Sequence, residues 1–167
     1  RIPVMDGEFT CEETFGTVKG VAGGNIILLG TEPAATLSAT EAAVRAMRSC
    51  RDVILPFPGG IARSGSKGGS KYQSLRASTN TAFAPTLRGL VPSDLPAEVR
   101  CVYEIVIDGL TLGAVERATI TGLRAGCRPG VVAITAGNYG GKLGPFHIKL
   151  HDVVARAAEL TGVAVGD

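Results

Sequence analysis

The sequence predicts an α+β domain: a ferredoxin-like split β-α-β sandwich, one antiparallel sheet with helices on a single face. Three observations predict it. Apolar runs bounded by turn residues alternate with helix-period segments, in the order strand, helix, strand, long excursion, strand, helix, strand, then a C-terminal strand and helix. Two β-α-β halves with right-handed crossovers arrange such a series as four strands with the helices on one side. The 167 residues, 45% apolar and 19% charged, suffice for a single domain spanning 1–167 with its own core and are too apolar for disorder. A parallel doubly wound sheet is the competing arrangement, since it too alternates strands and helices.

Each element has a local signature. "GNIILLG" (24–30) is an apolar run between glycines, the mark of a buried strand. In "LSATEAAVRAMRSC", Ser38 and Glu41 have capping-box spacing, which predicts a helix starting there. Ala43, Val44, Met47 and Cys50 then form its apolar face, leaving Arg45, Arg48 and Arg51 off it. "DVILPFPGG" reads as a second strand ended by Pro56 and Pro58, which cannot donate to a ladder. More than 40 residues of excursion follow, too long for an idle loop, and the prolines of "FAPTLRGLVPSDLP" keep that part irregular. "CVYEIVIDG" (101–109) is the clearest strand, ending on an Asp-Gly turn. "LTLGAVERATITGLRAGC" is a helix with Leu112, Val115, Ala118, Thr119 and Leu123 on one side, weakened by Gly122 and Gly126. "GVVAITAGNYGG" is a fourth strand running into a glycine turn. "FHIKL" alternates as a fifth strand would, and "HDVVARAAELTG" closes the chain as a helix stopped by Gly162.

Bulk properties narrow the function. A net charge of +2 is too mild for a nucleic-acid binder, and no apolar run has membrane-spanning length. Cys11, Cys50, Cys101 and Cys127 are far apart with no C-x-x-C pair, which predicts reduced thiols and a cytoplasmic setting. The chain opens on Arg1, with no methionine, directly into "RIPVMDGEF", so a fragment or processed half of a longer protein is expected.

The stretch "PFPGGIARSGSKGGSKYQSLRASTN" (56–80) is the most unusual. It is too poor in apolar surface to bury itself, and Arg63, Lys67, Lys71 and Arg76 form the densest basic patch, suited to a few phosphates or carboxylates. It is not a Walker loop: "GIARSGSK" has the glycine spacing but Ser66 where the lysine belongs, and no helix follows. His147 and His151 in "HIKLH" lack both a zincin glutamate and a nearby third ligand, so no metal site is predicted. No G-x-S-x-G elbow or cysteine signature marks a nucleophile. Glu104 stands among β-branched residues, sharing a face with Val102 and Val106. It is either a solvated or salt-bridged carboxylate, or a desolvated one suited to accepting a proton. "AGNYGG" (136–141) is either a tight turn or a set of N–H groups around Asn138 and Tyr139 aimed at an oxyanion.

"PVMDGEF", "GVAGGN", the 56–80 stretch, "PTL", "VYEIVIDGL" and "AGNYGGKLGPFHIKLH" together resemble formylmethanofuran:tetrahydromethanopterin formyltransferases, in the same order from Arg1 to about His151. The family's chain is nearly twice as long with two ferredoxin-like lobes, so the resemblance implies the C-terminal lobe, the first lobe being absent. The Ala- and Arg-rich composition is similar to the bacterial methylotroph form, a subunit of a formyltransferase/hydrolase complex, rather than to the acidic archaeal form of methanogenesis. The implied activity is formyl transfer from formylmethanofuran to N5 of a tetrahydromethanopterin-type pterin. Both cofactors are substrates there, and no metal is needed. The resemblance makes Glu104 the proton acceptor. It also makes the 56–80 stretch a wrap for cofactor tails, through the charges of Arg63, Lys67, Lys71 and Arg76 and hydrogen bonds from Ser64, Ser66, Ser70, Ser78, Thr79 and Asn80. Homo-oligomers or complexes with other subunits are the implied partners. The contrasting reading is a non-catalytic assembly subunit whose basic Gly/Ser loop is a protein interface.

Overall fold

The computed structural model describes residues 1–63, 80–137 and 145–161, with side chains to 157. Among these, two sheets and three α-helices form. β1 (Ile2–Val4) and β2 (Gly7–Phe9) make a small antiparallel hairpin. The main sheet consists of β3 (Val21–Gly30), β4 (Val53–Ile54), β5 (Cys101–Gly109) and β6 (Val131–Thr135), in the order β4-β5-β3-β6. All three of its pairings are antiparallel, which overturns the parallel alternative. The α+β class and the antiparallel sheet are as predicted.

Ile26, Ile27 and Leu28 are 0% exposed and Leu29 3%, so the central strand is covered on both faces. On one face lie α1 (Pro33–Met47) and α2 (Leu112–Gly126). Ala43, Val44 and Met47 of α1 and Val115 and Ala118 of α2 pack there with Ile26, Leu28, Ile105 and Ile107. The glycines of α2 are a packing device: a Cβ on Gly122 would overlap Met47 Cε. The helix thus accepts a weaker local propensity of up to about 1 kcal/mol per glycine in return for close helix contact. On the other face the end of the excursion acts as a cover. Short 3₁₀ turns at Thr81–Phe83 and Pro85–Leu87 lead to Leu95 and Val99, which pack on Ile27, Leu29 and Val102. Arg88 holds this cover together, donating to the carbonyls of Pro96, Ala97 and Val99 at 2.9–3.2 Å.

Three local expectations change. Helix α1 begins at Pro33, not at the Ser38–Glu41 box; Ser38 is exposed in its interior. Pro33 is preset for the first turn, and the Glu32 carboxylate caps it by accepting from the N–H of Ala34 (3.1 Å) and Ala35 (2.8 Å). These two bonds, Ala35 first, hold the Glu32 carboxyl below its ordinary range. The "FHIKL" segment forms no strand: residues 145–149 are irregular and α3 (Leu150–Thr161) starts at its last residue. Ile148 and Leu150 pack against the helix-side core, so their alternation reflects packing of an irregular segment. The N-terminal hairpin was not anticipated. Gly162, the expected stop of α3, lies outside the described residues. α3 lies against α2, with Arg156 donating to Glu116 at 2.7 Å.

Candidate active site

Alternation along β5 sends Ile105 and Ile107 to the helix side and Val102 and Glu104 to the cover side. Glu104 is 8% exposed. Its backbone is paired on both flanks. Ile27 of β3 is its register partner, and on the other side Ala62 forms an isolated antiparallel bridge. In that bridge the Ala62 N–H donates to the Glu104 carbonyl at 2.7 Å, and the Glu104 N–H to the Ala62 carbonyl at 2.8 Å.

The carboxylate is held at both oxygens. Asn25 Nδ2 donates to Oε1 at 2.7 Å and Asn80 Nδ2 to Oε2 at 2.9 Å. Asn25 lies on β3 opposite Val106, which sets it diagonally across the strand pair from Glu104. Its Oδ1 accepts from the Gly137 N–H at 2.9 Å. That bond fixes the amide orientation, because an N–H donor at one end leaves the NH₂ group for Glu104. Asn25 also lines a cleft of about 1190 Å³ with Thr135, Gly137, His147 and Lys149; Glu104 does not.

Residues beside both unusual segments bond to Glu104 or to the amide that holds it. Ala62, two positions before residues 64–79, bonds to the Glu104 backbone, and Asn80, directly after them, bonds to its carboxylate. Residues 138–144 begin directly after Gly137, the partner of Asn25. Of the predicted binding residues, Asn80 is buried with its amide on Glu104, and Arg63 is exposed just beyond the Ala62 bridge. Ser64, Ser66, Lys67, Ser70, Lys71, Arg76, Ser78, Thr79, Asn138 and Tyr139 lie outside the described residues. Asn25 was missed in the sequence. Its signal is slight: one polar residue opening an otherwise apolar strand. His147 and His151 are both exposed, and no group of three or more His, Cys, Asp or Glu gathers among the described residues.

The arrangement defines a layered α+β lobe with a buried carboxylate held by the amides of Asn25 and Asn80. Comparison makes this particular. Residues 7–153 match the family model described as FTR, proximal lobe, and the chain belongs to that family. A relative from Methylobacillus flagellatus, named formylmethanofuran–tetrahydromethanopterin formyltransferase, is 52% identical over 159 residues, covering 93% of this chain and 53% of the relative. The solved formyltransferase/hydrolase complex from Methylorubrum extorquens, in complex with methylofuran, is matched with a TM-score of 0.75. Identity there is 49%, with 92% of this chain and 51% of that one covered. The formyltransferase from Methanosarcina barkeri gives a TM-score of 0.75 at 44% identity, over 90% of this chain and 52% of that one. The chain therefore spans about half the length of the relatives it matches.

Proposed function

We propose that this chain forms the C-terminal lobe of a formyltransferase that moves a formyl group from formylmethanofuran to N5 of a tetrahydromethanopterin-type pterin. The observation that carries the reading is the Glu104 carboxylate, 8% exposed and amide-bonded at both oxygens by Asn25 and Asn80. Relatives near 50% identity bearing that name support it. The β4-β5-β3-β6 order, with two helices on one face, supports the ferredoxin-like description of the lobe.

In the proposed mechanism the N5 amine attacks the formyl carbon, forming a C–N bond and a tetrahedral oxyanion. Glu104 takes the N5 proton. Collapse breaks the bond to the methanofuran nitrogen, which receives a proton as it leaves. The rate comes mainly from positioning two large cofactors, which requires no covalent enzyme intermediate. Arg63, Lys67, Lys71 and Arg76 pair with anionic cofactor tails, and the serines, Thr79 and Asn80 supply polar surroundings. Backbone N–H groups of the segment carrying Asn138 and Tyr139 stabilise the oxyanion in this mechanism. Association with further subunits of a formyltransferase/hydrolase complex, or with a second copy, belongs to the same proposal.

Initial-rate formyl transfer by the full-length chain, with calorimetric titration of a tetrahydropterin analogue, tests this reading. Turnover and saturable analogue binding are expected. Binding to partner subunits alone, without transfer, would establish the assembly-subunit alternative instead.

A further inference from the structure

We propose that Asn25 is a positioning residue, which fixes the Glu104 carboxylate against the β6 end and holds it ready to accept a proton. The inference rests on the formyl-transfer reading of Glu104. Three observations carry it. The Asn25 amide donates to Oε1 at 2.7 Å while its Oδ1 is held by the Gly137 N–H at 2.9 Å, so the side chain is pinned at both ends. The same residue lines the cleft of about 1190 Å³, whereas Glu104 is buried just beyond it. Gly137 follows the end of β6, so this one amide ties the carboxylate to the end of a second strand.

The donor at 2.7 Å fixes where Oε1 points. Among the described residues, the charged groups on the elements around Glu104 are Asp108 on the same face of β5, Arg63 beside the Ala62 bridge, and Arg88, Asp94, Glu98 and Arg100 of the cover. Across the cleft stand His147 and Lys149. All are unchanged by a substitution at 25, so a displaced pH profile reports on the Asn25–Glu104 contact.

The test compares Asn25→Asp and Asn25→Ala in the full-length chain by formyl-transfer rates across pH, with melting temperatures. Asn25→Asp places a second carboxylate against Oε1, and the acidic limb of kcat should move up by more than about one pH unit. Asn25→Ala removes the donor to Oε1 together with the acceptor of the Gly137 N–H, adds no charge, and should give a smaller shift in the same direction, with kcat about tenfold lower and KM within about twofold. An unmoved limb in the folded variants, or activity lost only in proportion to folded protein, overturns the proposal. Glu104→Gln serves as the reference. If it leaves the limb in place, the reading of Glu104 fails; if it removes the limb while both Asn25 variants keep theirs, only the role of Asn25 fails.

Discussion

Glu104→Gln is the substitution that separates chemistry from architecture here, and the hydrogen bonds set its magnitude. Both carboxylate oxygens accept from amide NH₂ groups, at 2.7 Å from Asn25 and 2.9 Å from Asn80. A glutamine offers one acceptor and one NH₂, so one of those contacts becomes donor against donor. Asn25 cannot relieve it by flipping, because its Oδ1 would leave the Gly137 N–H. The new NH₂ therefore meets Asn80, which either opposes it or turns its Oδ1 toward it and withdraws its own NH₂ from position 104. An unsatisfied buried donor costs about 1–3 kcal/mol, and each kcal/mol lowers Tm by roughly 2–4 °C for a domain of this size. Loss of the base costs about 10²- to 10⁴-fold in kcat, or roughly 3–5 kcal/mol of barrier. The two effects come apart in the double variant Glu104→Gln/Asn80→Asp, which returns an acceptor to the stranded NH₂. Tm should recover while kcat stays low, because the charge now stands at position 80. The assays are thermal melting and kcat across pH in the full-length chain. Recovery of kcat together with Tm would refute the general-base argument.

Further outcomes follow from other parts of the molecule. On the proposed cofactor-wrapping role, replacing Lys67 and Lys71 with Met would remove charge-assisted contacts worth about 1.5–3 kcal/mol each before screening. KM should rise and its salt dependence flatten with kcat little changed, and an unchanged KM would end the cofactor-wrapping role. Gly30→Ala would drive a Cβ into Thr36 Oγ1 and to 2.8 Å from the Gly130 carbonyl oxygen, so a loss of about 1–3 kcal/mol is expected in denaturant titration. Wild-type stability there would contradict the packing of α1 on β3. Glu32→Ala should lower Tm at neutral pH. Because the folded-state carboxyl is held below its unfolded value of about 4.5, the cap's contribution is complete above that value and fades as pH falls through the lower folded one. The Tm gap from wild type should therefore close on acidification, and a gap independent of pH would show that Glu32 does not cap as a carboxylate.

What the sequence reveals and what it hides follow from the range of the interactions involved. β5 and α2 are legible because their signals are local: "CVYEIVI" reads as a strand and is one, while the expected Asp108-Gly109 turn is drawn into β5 by its pairing with Val53 and Ile54, and the helix survives its glycines because α1 lies where side chains would have been. The start of α1 was misread because two local caps competed, and a proline at the first helical position outweighed a box five residues later. The cover over Ile27 and Leu29 left no periodic trace, since its burial depends on Leu95 and Val99 at the ends of irregular turns. Glu104 could be noticed as a lone carboxylate in a strand, but its two outcomes, solvated or buried, depend on what covers that face. Asn25 shows the limit most clearly. It is 79 residues from Glu104 in the chain, and only the register that places Ile27 opposite Glu104 brings its amide diagonally onto the carboxylate. A slip of one residue would have turned the same asparagine to the helix side, where a buried amide finds no such acceptor. The site is therefore written in pairing geometry, and the residues that hold the carboxylate are recognisable only once the strands have been set side by side.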